Sequence, residues 1–326
     1  MTTHPYRQSI PADILALSHE RDLLRRRGQY ARADLLKQQI EAAGYLVKDN
    51  PRGAHLTILP SVDIDGQYYR IARQIPSLLH EPDTCTFSVN ILAQNALDHV
   101  RRCVESVLHW AGKTSLEIIL IDNASQDGTD QWAERLQIRD DRLHLLRTSR
   151  TMGAAEARNV GLKRSRGRYI LLLDADVELT GDIFTPLAQT LSEPTVGITG
   201  MRGFRTSNLR HFEESQEIEV EVIDSTCMAF KRSLLTQAGL FDEHYRFPQY
   251  MDIDFCFAAR AEGAQAWLTP NLPLMSHAAS ANPGLSDAER ARLSKRNFYR
   301  FLEKWGDRDD LLLEEWDEGD DLALEE

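Results

Sequence analysis

Two kinds of hydrophobic pattern alternate along the middle of the chain. Four runs of mostly consecutive apolar residues predict buried strands, namely FSVNILA, LEIILID, RLHLLRT and RYILLLD. Between them lie three segments with the character of helices, namely LDHVRRCVESVLHWAG, TDQWAERLQ and AAEARNVGLKRS. This alternation predicts an α/β fold with a mainly parallel sheet covered by helices on both faces, and with a ligand-binding crevice at the carboxyl ends of the strands.

The beginning of the chain has a different pattern. Apolar residues recur at three- and four-residue steps before Gly28 and again before Gly44, which predicts an αα-hairpin. The following VKDNPRGAHL indicates a turn or small ribbon. We therefore expect a helical hairpin module over residues 1–54, a connector over 55–83, the α/β domain over 84–306 and an acidic tail over 307–326.

Composition narrows the class of protein. The chain has 326 residues, of which 42% are hydrophobic and 27% charged, as in soluble globular proteins. It contains no apolar run of the roughly 20 residues that a membrane span needs, and its N-terminus lacks the pattern of a secretory signal. Four widely separated cysteines predict reduced thiols in a cytoplasmic protein.

The net charge of −12 is concentrated at the C-terminus. Residues 307–326 contain eleven acids and one base, a local charge of −10, which leaves −2 for the rest of the chain. We expect this segment to be a solvated, poorly ordered tail. Because the body is nearly neutral, charge gives no argument for binding nucleic acid.

Polar residues follow three of the predicted strands at the expected crevice. Asp122 ends the second strand, where a carboxylate can accept the N–H of a base such as uracil or thymine. Gly153 and Arg158 mark a helix start after the third strand, where free N–H groups and a guanidinium suit a diphosphate. Asp174 and Asp176 follow the fourth strand as D-A-D. Two carboxylates would repel a diphosphate unless Mg²⁺ or Mn²⁺ lay between them, so a divalent metal is part of the hypothesis.

Two further acids lie together in YMDIDFCFAARAEG. Asp252 and Asp254 are predicted at the start of a helix, where residues two apart point in directions about 200° apart. One of them can therefore face a substrate while the other caps the helix or forms an ion pair.

The segment QEIEVEVIDSTCMAFKRSLL lies before this helix. Its alternation predicts a half-buried strand with Ile218, Val220 and Val222 on the buried side. We take Lys231 and Arg232 to be surface residues at the start of the next helix.

Several of these stretches, taken in order, resemble the motifs of family 2 glycosyltransferases with the GT-A fold: NILAQN, IDNASQDGT, GAAEARNVGL, LLLDADVEL, FDEHYRFPQYMDIDFCFAAR and NFYRFLEKWG. The resemblance covers roughly residues 84–306 and implies a GT-A domain, a Rossmann-like fold that binds nucleotide-diphospho-sugars. Two positions depart from the pattern: Met251 stands where many relatives carry Glu, and ILAQN lacks a frequent proline.

The resemblance implies a nucleotide pocket at the first two strand ends. Ala93 and Asn95 would line this pocket, and Asp122 would hold the base. Asp174 would approach the ribose or a metal-bound water.

The remaining roles implied by the resemblance concern the metal and the acceptor. Asp176 would bind the divalent metal, His277 would be a further metal ligand, and Asp252 would be the base that deprotonates the acceptor. Residues 224–228 would run toward the acceptor side and contact the donor sugar or the acceptor.

The implied activity is metal-dependent, inverting transfer of a hexosyl or deoxyhexosyl group. The donor would be a UDP-, dTDP- or GDP-sugar, and the acceptor a hydroxyl of a sugar or glycan, in polysaccharide or glycoconjugate synthesis. Nucleic acid is not an expected partner, and peripheral association with a membrane is left open.

Two alternatives remain at this point. A sugar-phosphate nucleotidyltransferase shares the architecture but requires a glycine-rich, basic loop after the first strand, and LAQNALDHV has neither Gly nor Lys. A non-catalytic protein that binds nucleotide-sugars or RNA is the other. The N-terminal segment resembles the C-terminal helical segment of cysteinyl-tRNA synthetases through Ala33, Asp34, Gly44, Asp49, Pro51 and Gly53. We favour a hairpin that packs on the main domain or on a partner over RNA binding.

Overall fold

The computed structural model describes residues 10–50, 53–58, 62–69, 72–277 and 286–313. The chain divides into two compact units, one of residues 1–74 with 148–150 and the other of residues 75–147 with 151–326. The division follows residue 74, whereas the sequence places the start of the main domain at residue 84.

The first unit contains the predicted helical hairpin and ribbon. Its helices are α1 (Ala12–Arg26) and α2 (Tyr30–Ala42), and its strands β1 (Tyr45–Asn50) and β2 (Gly53–Ile58) pair in antiparallel fashion. A small core of Ile14, Ile40, Val47 and Leu56 joins the helices to the ribbon.

Two further features complete this unit. The guanidinium of Arg21 is buried and binds both carboxylate oxygens of Asp49, at 2.8 and 3.0 Å. Within the predicted connector, β3 (Val62–Ile64) and β4 (Gln67–Tyr69) form an antiparallel pair, and a 3-10 turn covers Ala72–Gln74.

The second unit contains the predicted alternation of strands and helices. Its strands are β5 (Cys85–Ala93), β6 (Leu116–Asp122), β7 (Leu143–Thr148), β8 (Gly167–Asp174), β9 (Val177–Leu179), β10 (Val196–Gly200), β11 (Gly203–Arg205), β12 (Glu213–Ser215), β13 (Glu219–Val220), β14 (Val222–Ile223), β15 (Cys227–Lys231), β16 (Gln265–Leu268) and β17 (Leu274–Ser276). Its helices are α3 (Leu97–Trp110), α4 (Thr129–Gln137), α5 (Ala154–Arg164), α6 (Phe184–Ser192), α7 (Leu234–Gln237), α8 (Met251–Ala261) and α9 (Asp287–Trp305), and a 3-10 turn covers Asp309–Leu311.

The main sheet of this unit is mostly parallel, as predicted. Its strands are hydrogen-bonded in the order β13-β16-β10-β15-β8-β5-β6-β7. Strand β5 pairs in parallel with β6 and β8, and β6 pairs in parallel with β7. Strand β15 is antiparallel to both of its neighbours, β8 and β10.

Helices cover both faces of this sheet. Alternate residues of β8 point to opposite faces, so that Leu171 and Leu173 join a core with α3 and α6, whereas Ile170 and Leu172 join a core with α5, α8 and α9. This burial on both faces explains why the strand reads as a continuous apolar run.

No helix among the described residues is both long and apolar enough to cross a membrane. All four cysteines are free, and three of them are buried. Of the predicted tail, Leu311 is buried at 7% exposure, and residues 314–326 lie outside the described part of the chain.

The predicted strand around Ile218 is partly wrong. Val220 and Val222 are buried as expected, but Ile218 is 67% exposed because the strand begins only at Glu219. The segment forms two short strands, and Glu221 between them is fully buried.

The prediction that Arg232 is a surface residue is wrong. Its side chain is only 9% exposed, and its guanidinium donates to the carbonyl oxygens of Leu78 at 3.1 Å and Glu81 at 2.8 Å. Lys231 ends β15, and its ammonium donates to the carbonyl of Glu193 at 2.8 Å.

Replacing Gly167 by alanine should destabilise the second unit. A Cβ atom there would lie 2.3 Å from the backbone nitrogen of Ser88 and 2.6 Å from the carbonyl carbon of Phe87. These atoms belong to β5, which is hydrogen-bonded on both sides, so they cannot shift without disturbing the strand pairing. We expect a loss of about 1–3 kcal/mol in the free energy of unfolding, measured by urea denaturation. Gly263→Asn is the control, because that position has a φ of 83° and open space, and asparagine tolerates this conformation. Equal stability of Gly167→Ala and wild type would contradict this packing.

Candidate active site

Strand pairing brings the predicted site residues to one edge of the sheet. Ala93 is opposite Asp122 where β5 pairs with β6, and Leu92 is opposite Asp174 where β5 pairs with β8. The carboxyl ends of these parallel strands therefore meet at the same crevice, as the alternation of elements predicts.

Asp122 is a buried carboxylate at this edge. It is 3% exposed, and one of its oxygens accepts from the backbone N–H of Ser125 at 3.3 Å. Burial raises the pKa of Asp122 to about 6, although hydrogen bonds from Ser125 act in the opposite direction. A ligand N–H that donates to the Asp122 carboxylate would therefore stabilise its charged form.

Ala93 and Asn95 build the loops around Asp122. Asn95 has a φ of 50°, and its side-chain oxygen accepts from Gln126 N at 2.7 Å, which ties the first loop to the second. Ala93 is wholly buried, and its carbonyl accepts from Asn123 N at 2.8 Å. Ala93 therefore shapes this edge through its backbone, and Asn95 through its side chain.

Asn123 is a positioning residue that the sequence analysis did not single out. Its side chain is buried and binds the backbone of Met152 twice, accepting at 2.8 Å and donating at 3.1 Å. It fixes the third loop against the second. Its place directly after Asp122 was the only signal in the sequence.

The expectation of free N–H groups at the start of α5 is wrong for its first two residues. The first N–H groups of α5, on Ala154 and Ala155, donate to the carbonyls of Arg246 and Tyr245 at 3.0 and 3.3 Å. A Cβ atom on Gly153 would lie 2.9 Å from the Cα of Arg246, so glycine permits this close backbone approach. The N–H groups of Ala154 and Ala155 are thus bonded to protein and are not available to a diphosphate.

Arg158 lies beneath the crevice. It is 4% exposed, and its guanidinium donates to the carbonyl of Asn90 and to the carboxylate of Asp174, both at 2.9 Å. Its expected direct contact with phosphate does not fit this burial. Arg158 instead supplies the positive charge that holds Asp174 in place.

Asp174 and Asp176 lie where β8 leaves the sheet. Burial raises the pKa of Asp174, the Arg158 charge lowers it, and the charges of Asp176 and Asp224 raise it again. The carboxylates are therefore close enough to repel one another.

His277 lies beside the D-A-D segment but its ring points elsewhere. Its backbone N–H donates to the carbonyl of Asp176 at 2.9 Å, whereas its Nε2 lies 2.6 Å from the carboxylate of Glu178. The Asp176 carboxylate instead accepts from the Ser276 hydroxyl at 3.4 Å. The antiparallel pairing of β9 with β17 brings these two segments together.

The donor set suits a hard divalent cation. Asp174 and Asp176 offer carboxylate oxygens, the ligands that Mg²⁺ and Mn²⁺ prefer, and a cation would relieve their mutual repulsion. No three His, Cys, Asp or Glu side chains in the described part of the chain already form a metal-binding group. A metal here would thus need oxygens from a ligand or water as well, as is usual for Mg²⁺.

A short loop connects this carboxylate pair to Asp252. The N–H of Asp174 donates to the carbonyl of Thr226 at 3.0 Å, and the hydroxyl of Ser225 donates to Asp252 at 3.1 Å. The loop of residues 224–226 is therefore hydrogen-bonded to Asp174 and to Asp252. The sequence placed this loop on the acceptor side but did not predict that it bridges the two sites.

Asp252 and Asp254 point in different directions, as predicted. Asp252 accepts from Ser225 and, at 3.0 Å, from Ile253 N, and burial followed by the Asp224 charge raises its pKa to about 6. Asp254 is 3% exposed and binds Lys304 and Trp305. Asp252 is thus the acid that remains for chemistry.

The crevice is distinct from a cavity of about 480 Å³ that lies along α3 and includes Arg102, Ser106, Trp110 and Glu178 in its lining. None of the strand-end carboxylates Asp122, Asp174 and Asp176 lines this cavity. These three carboxylates therefore lie at the open edge of the sheet and outside this cavity.

The sequence model of the family described as Glycosyl transferase family 2 matches residues 88–260. Among curated relatives, the uncharacterized protein y4gI of Sinorhizobium fredii is 23% identical over 252 residues, covering 68% of this chain and 28% of its own length. The UDP-Glc:alpha-D-GlcNAc-diphosphoundecaprenol beta-1,3-glucosyltransferase WfaP of Escherichia coli is 40% identical over 89 residues, covering 27% of this chain and 34% of its own length. The chain thus spans about a third of the length of these relatives.

The solved structures support the fold. The structure of GalNAc-T7 with UDP, GalNAc and Mn²⁺ matches with a TM-score of 0.60 at 17% identity, covering 69% of this chain and 50% of that one. At this identity the likeness concerns the fold alone, and it confirms the predicted GT-A architecture. The family match covers more than half of the chain, including the ends of β5, β6 and β8, and this chain belongs to glycosyl transferase family 2.

Proposed function

We propose that this chain is a metal-dependent, inverting glycosyltransferase that moves a hexosyl or deoxyhexosyl group from a nucleotide-sugar to an acceptor hydroxyl, in the synthesis of a polysaccharide or glycoconjugate. The loop of residues 224–226 carries this proposal, because it is hydrogen-bonded to Asp174 on one side and to Asp252 on the other. A sugar above this loop would have its diphosphate near D-A-D and its acceptor near Asp252.

Asp122 is the proposed contact for the base of the donor. Uracil, thymine and guanine each carry a ring N–H that a buried carboxylate can accept, so UDP-, dTDP- and GDP-sugars are the candidate donors. The UDP-Glc in the name of WfaP favours UDP among them. Ala93 and Asn95 would shape the pocket through their backbone and loop contacts.

Asp176 is the proposed metal ligand, with Asp174 beside it, held by Arg158. The Mn²⁺ in the GalNAc-T7 structure supports this choice of ion class. His277 would join the metal only by leaving Glu178. A divalent cation bound there would act as a Lewis acid toward the charge that develops on the leaving diphosphate.

Asp252 is the proposed general base. Its carboxylate takes the proton of the acceptor hydroxyl while the acceptor oxygen forms a bond to the anomeric carbon. The bond from that carbon to the diphosphate oxygen breaks in the same displacement, and its electron pair leaves with the diphosphate. A single displacement inverts the anomeric configuration.

Two further proposals concern the location of the protein and its N-terminal hairpin. Four free thiols support a cytoplasmic location. Docking to a partner is the role that we propose for the N-terminal hairpin.

The Asp176→Ala variant should lose almost all transfer while keeping its fold, because it removes a proposed metal ligand. Product formation from UDP-glucose and an acceptor panel, with and without Mn²⁺, is the measurement. Asp98→Ala removes an exposed acid from α3 and is the matched control. Full wild-type activity in excess chelator would overturn the metal requirement.

The rate of transfer should fall about tenfold per pH unit below about pH 6, because the pKa of Asp252 is raised to about 6 and only its deprotonated form can act as the base. The measurement is kcat between pH 4.5 and 8. Asp252→Asn should lower kcat ~10²–10⁴-fold while calorimetry still detects donor binding. A variant with wild-type kcat would exclude Asp252 as the base.

The Asp122→Asn variant should bind the donor more weakly and yet be more stable at high pH. The variant removes the charge of the side chain that would accept the N–H of the base, and this loss should raise the donor KM about 5- to 10-fold. Since burial raises the folded-state pKa of Asp122 to about 6, its stabilising contribution is present below its unfolded pKa and is lost as the pH rises through 6.

The gain in unfolding free energy for Asp122→Asn should therefore reach at most about 3 kcal/mol at pH 8 and shrink toward pH 4. Thermal melts at both pH values measure it. An unchanged KM, or a variant that is less stable at pH 8, would contradict this role.

A further inference from the structure

Helix α8 carries the proposed base in its first turn, and the C-terminal part of the chain holds this helix at both ends. The inference below rests on the proposed role of Asp252. It concerns residues that touch neither donor nor acceptor in the proposed arrangement.

The first turn of α8 is held through Asp254. One of its carboxylate oxygens accepts from the indole N–H of Trp305 at 2.9 Å, and the other accepts from the ammonium of Lys304 at 2.9 Å. The hydroxyl of Tyr245 lies 3.4 Å from the first oxygen. Asp254 is 3% exposed, so these donors supply the hydrogen bonds that its buried carboxylate needs.

The last turn of α8 is held through Arg260. Its Nε donates to the carbonyl of Leu311 at 2.8 Å. Close by in sequence, the N–H of Leu313 donates to the buried carboxylate of Glu221 at 2.9 Å. The chain after α9 is thus bound both to α8 and to the neighbouring strand segment.

Between the Asp254 and Arg260 contacts, aromatic packing holds the middle of α8 against α9. The ring of Phe257, in the middle of α8, packs against Phe301 and Trp305 of α9, with centroid distances of 5.3 and 6.1 Å. These rings are almost fully buried. The contact fixes the axis of α8, while Asp254 fixes its rotation at the end where Asp252 lies.

Three of the partners of α8 follow residue 260, and two of them, Lys304 and Trp305, lie in the stretch NFYRFLEKWG that resembles a family motif. The family match ends at residue 260, whereas Lys304, Trp305 and Leu311 follow it. A buried ion pair is weak evidence for stability, because its desolvation offsets much of its attraction, and such pairs can serve orientation. The ion pair of Asp254 with Lys304 lies two residues from the proposed base, which fits a role in orientation.

We infer that Asp254, Lys304 and Trp305 are positioning residues that set the orientation of Asp252 through the first turn of α8, so that the C-terminal segment controls transfer to the acceptor without contributing to donor binding. A loosened first turn would move Asp252 relative to the acceptor. A displacement of about 1 Å at a reacting group can cost about 10²-fold in rate.

The Trp305→Phe variant tests this inference, because it keeps an aromatic ring and removes the N–H that binds Asp254. We expect kcat for transfer to fall about 10- to 100-fold, with less than a twofold change in donor KM, and the acid limb of the pH profile to shift. Trp267→Phe is the matched control, since the indole N–H of Trp267 is buried without a hydrogen-bond partner in the described part of the chain. This control should keep the kcat and pH profile of the wild type.

A Trp305→Phe variant that melts earlier but keeps kcat and the acid limb would show a structural role only, and would overturn the inference. A variant that loses donor binding as well would also overturn it. If Trp305→Phe fails to fold, Lys304→Met supplies the test, because the Lys304 side chain is 41% exposed and its replacement leaves the hydrogen bond from Trp305 to Asp254 in place. It should lower kcat in the same direction with donor KM unchanged, and wild-type kcat would overturn the inference.

Failure of the proposed function has a different signature. In that case wild-type protein transfers no sugar, or Asp252→Asn transfers as well as wild type. If wild type is active and Asp252 is essential while Trp305→Phe and Lys304→Met keep the kcat of the wild type, only the positioning role is excluded.

Discussion

Repulsion between carboxylates is the constraint on which the rest of this site depends. The negative charges of Asp176 and Asp224 raise the pKa of Asp174. The charge of Asp224 also raises the pKa of Asp252. A fold can hold such a group only with compensating charge and hydrogen bonds. Arg158 supplies the charge from below, and the loop of residues 224–226 supplies hydrogen bonds from the side.

The sheet topology makes this arrangement possible. Parallel strands β5, β6 and β8 end at one edge and deliver Asp122 and Asp174 there. The antiparallel strand β15 runs the other way beside β8, so the loop that enters it arrives at the same edge. The start of α8 then places Asp252 against that loop. One reversed strand thus brings the donor and acceptor sides of the proposed reaction together.

Much of this could be predicted from the sequence, because local patterns determine it. Continuous apolar runs marked β5 to β8, and the helical spacing of Asp252 and Asp254 predicted that they point apart. Long-range contacts could not be predicted. The burial of Arg158, and the Tyr245 and Arg246 carbonyls that cover the start of α5, depend on segments far apart in sequence. Arg232 was misassigned for the same reason, since its partners Leu78 and Glu81 lie about 150 residues earlier.

The central claim is that the crevice binds a nucleoside diphosphate through a divalent cation held by these carboxylates. A ligand that binds only the folded state raises the melting temperature, so thermal melts with UDP, dTDP and GDP, each with Mn²⁺ or with excess chelator, test it directly. The account predicts that at least one of these nucleotides raises the melting temperature with Mn²⁺ and loses most of that effect in chelator. Equal stabilisation with and without the metal, or none from any of the three, would contradict it.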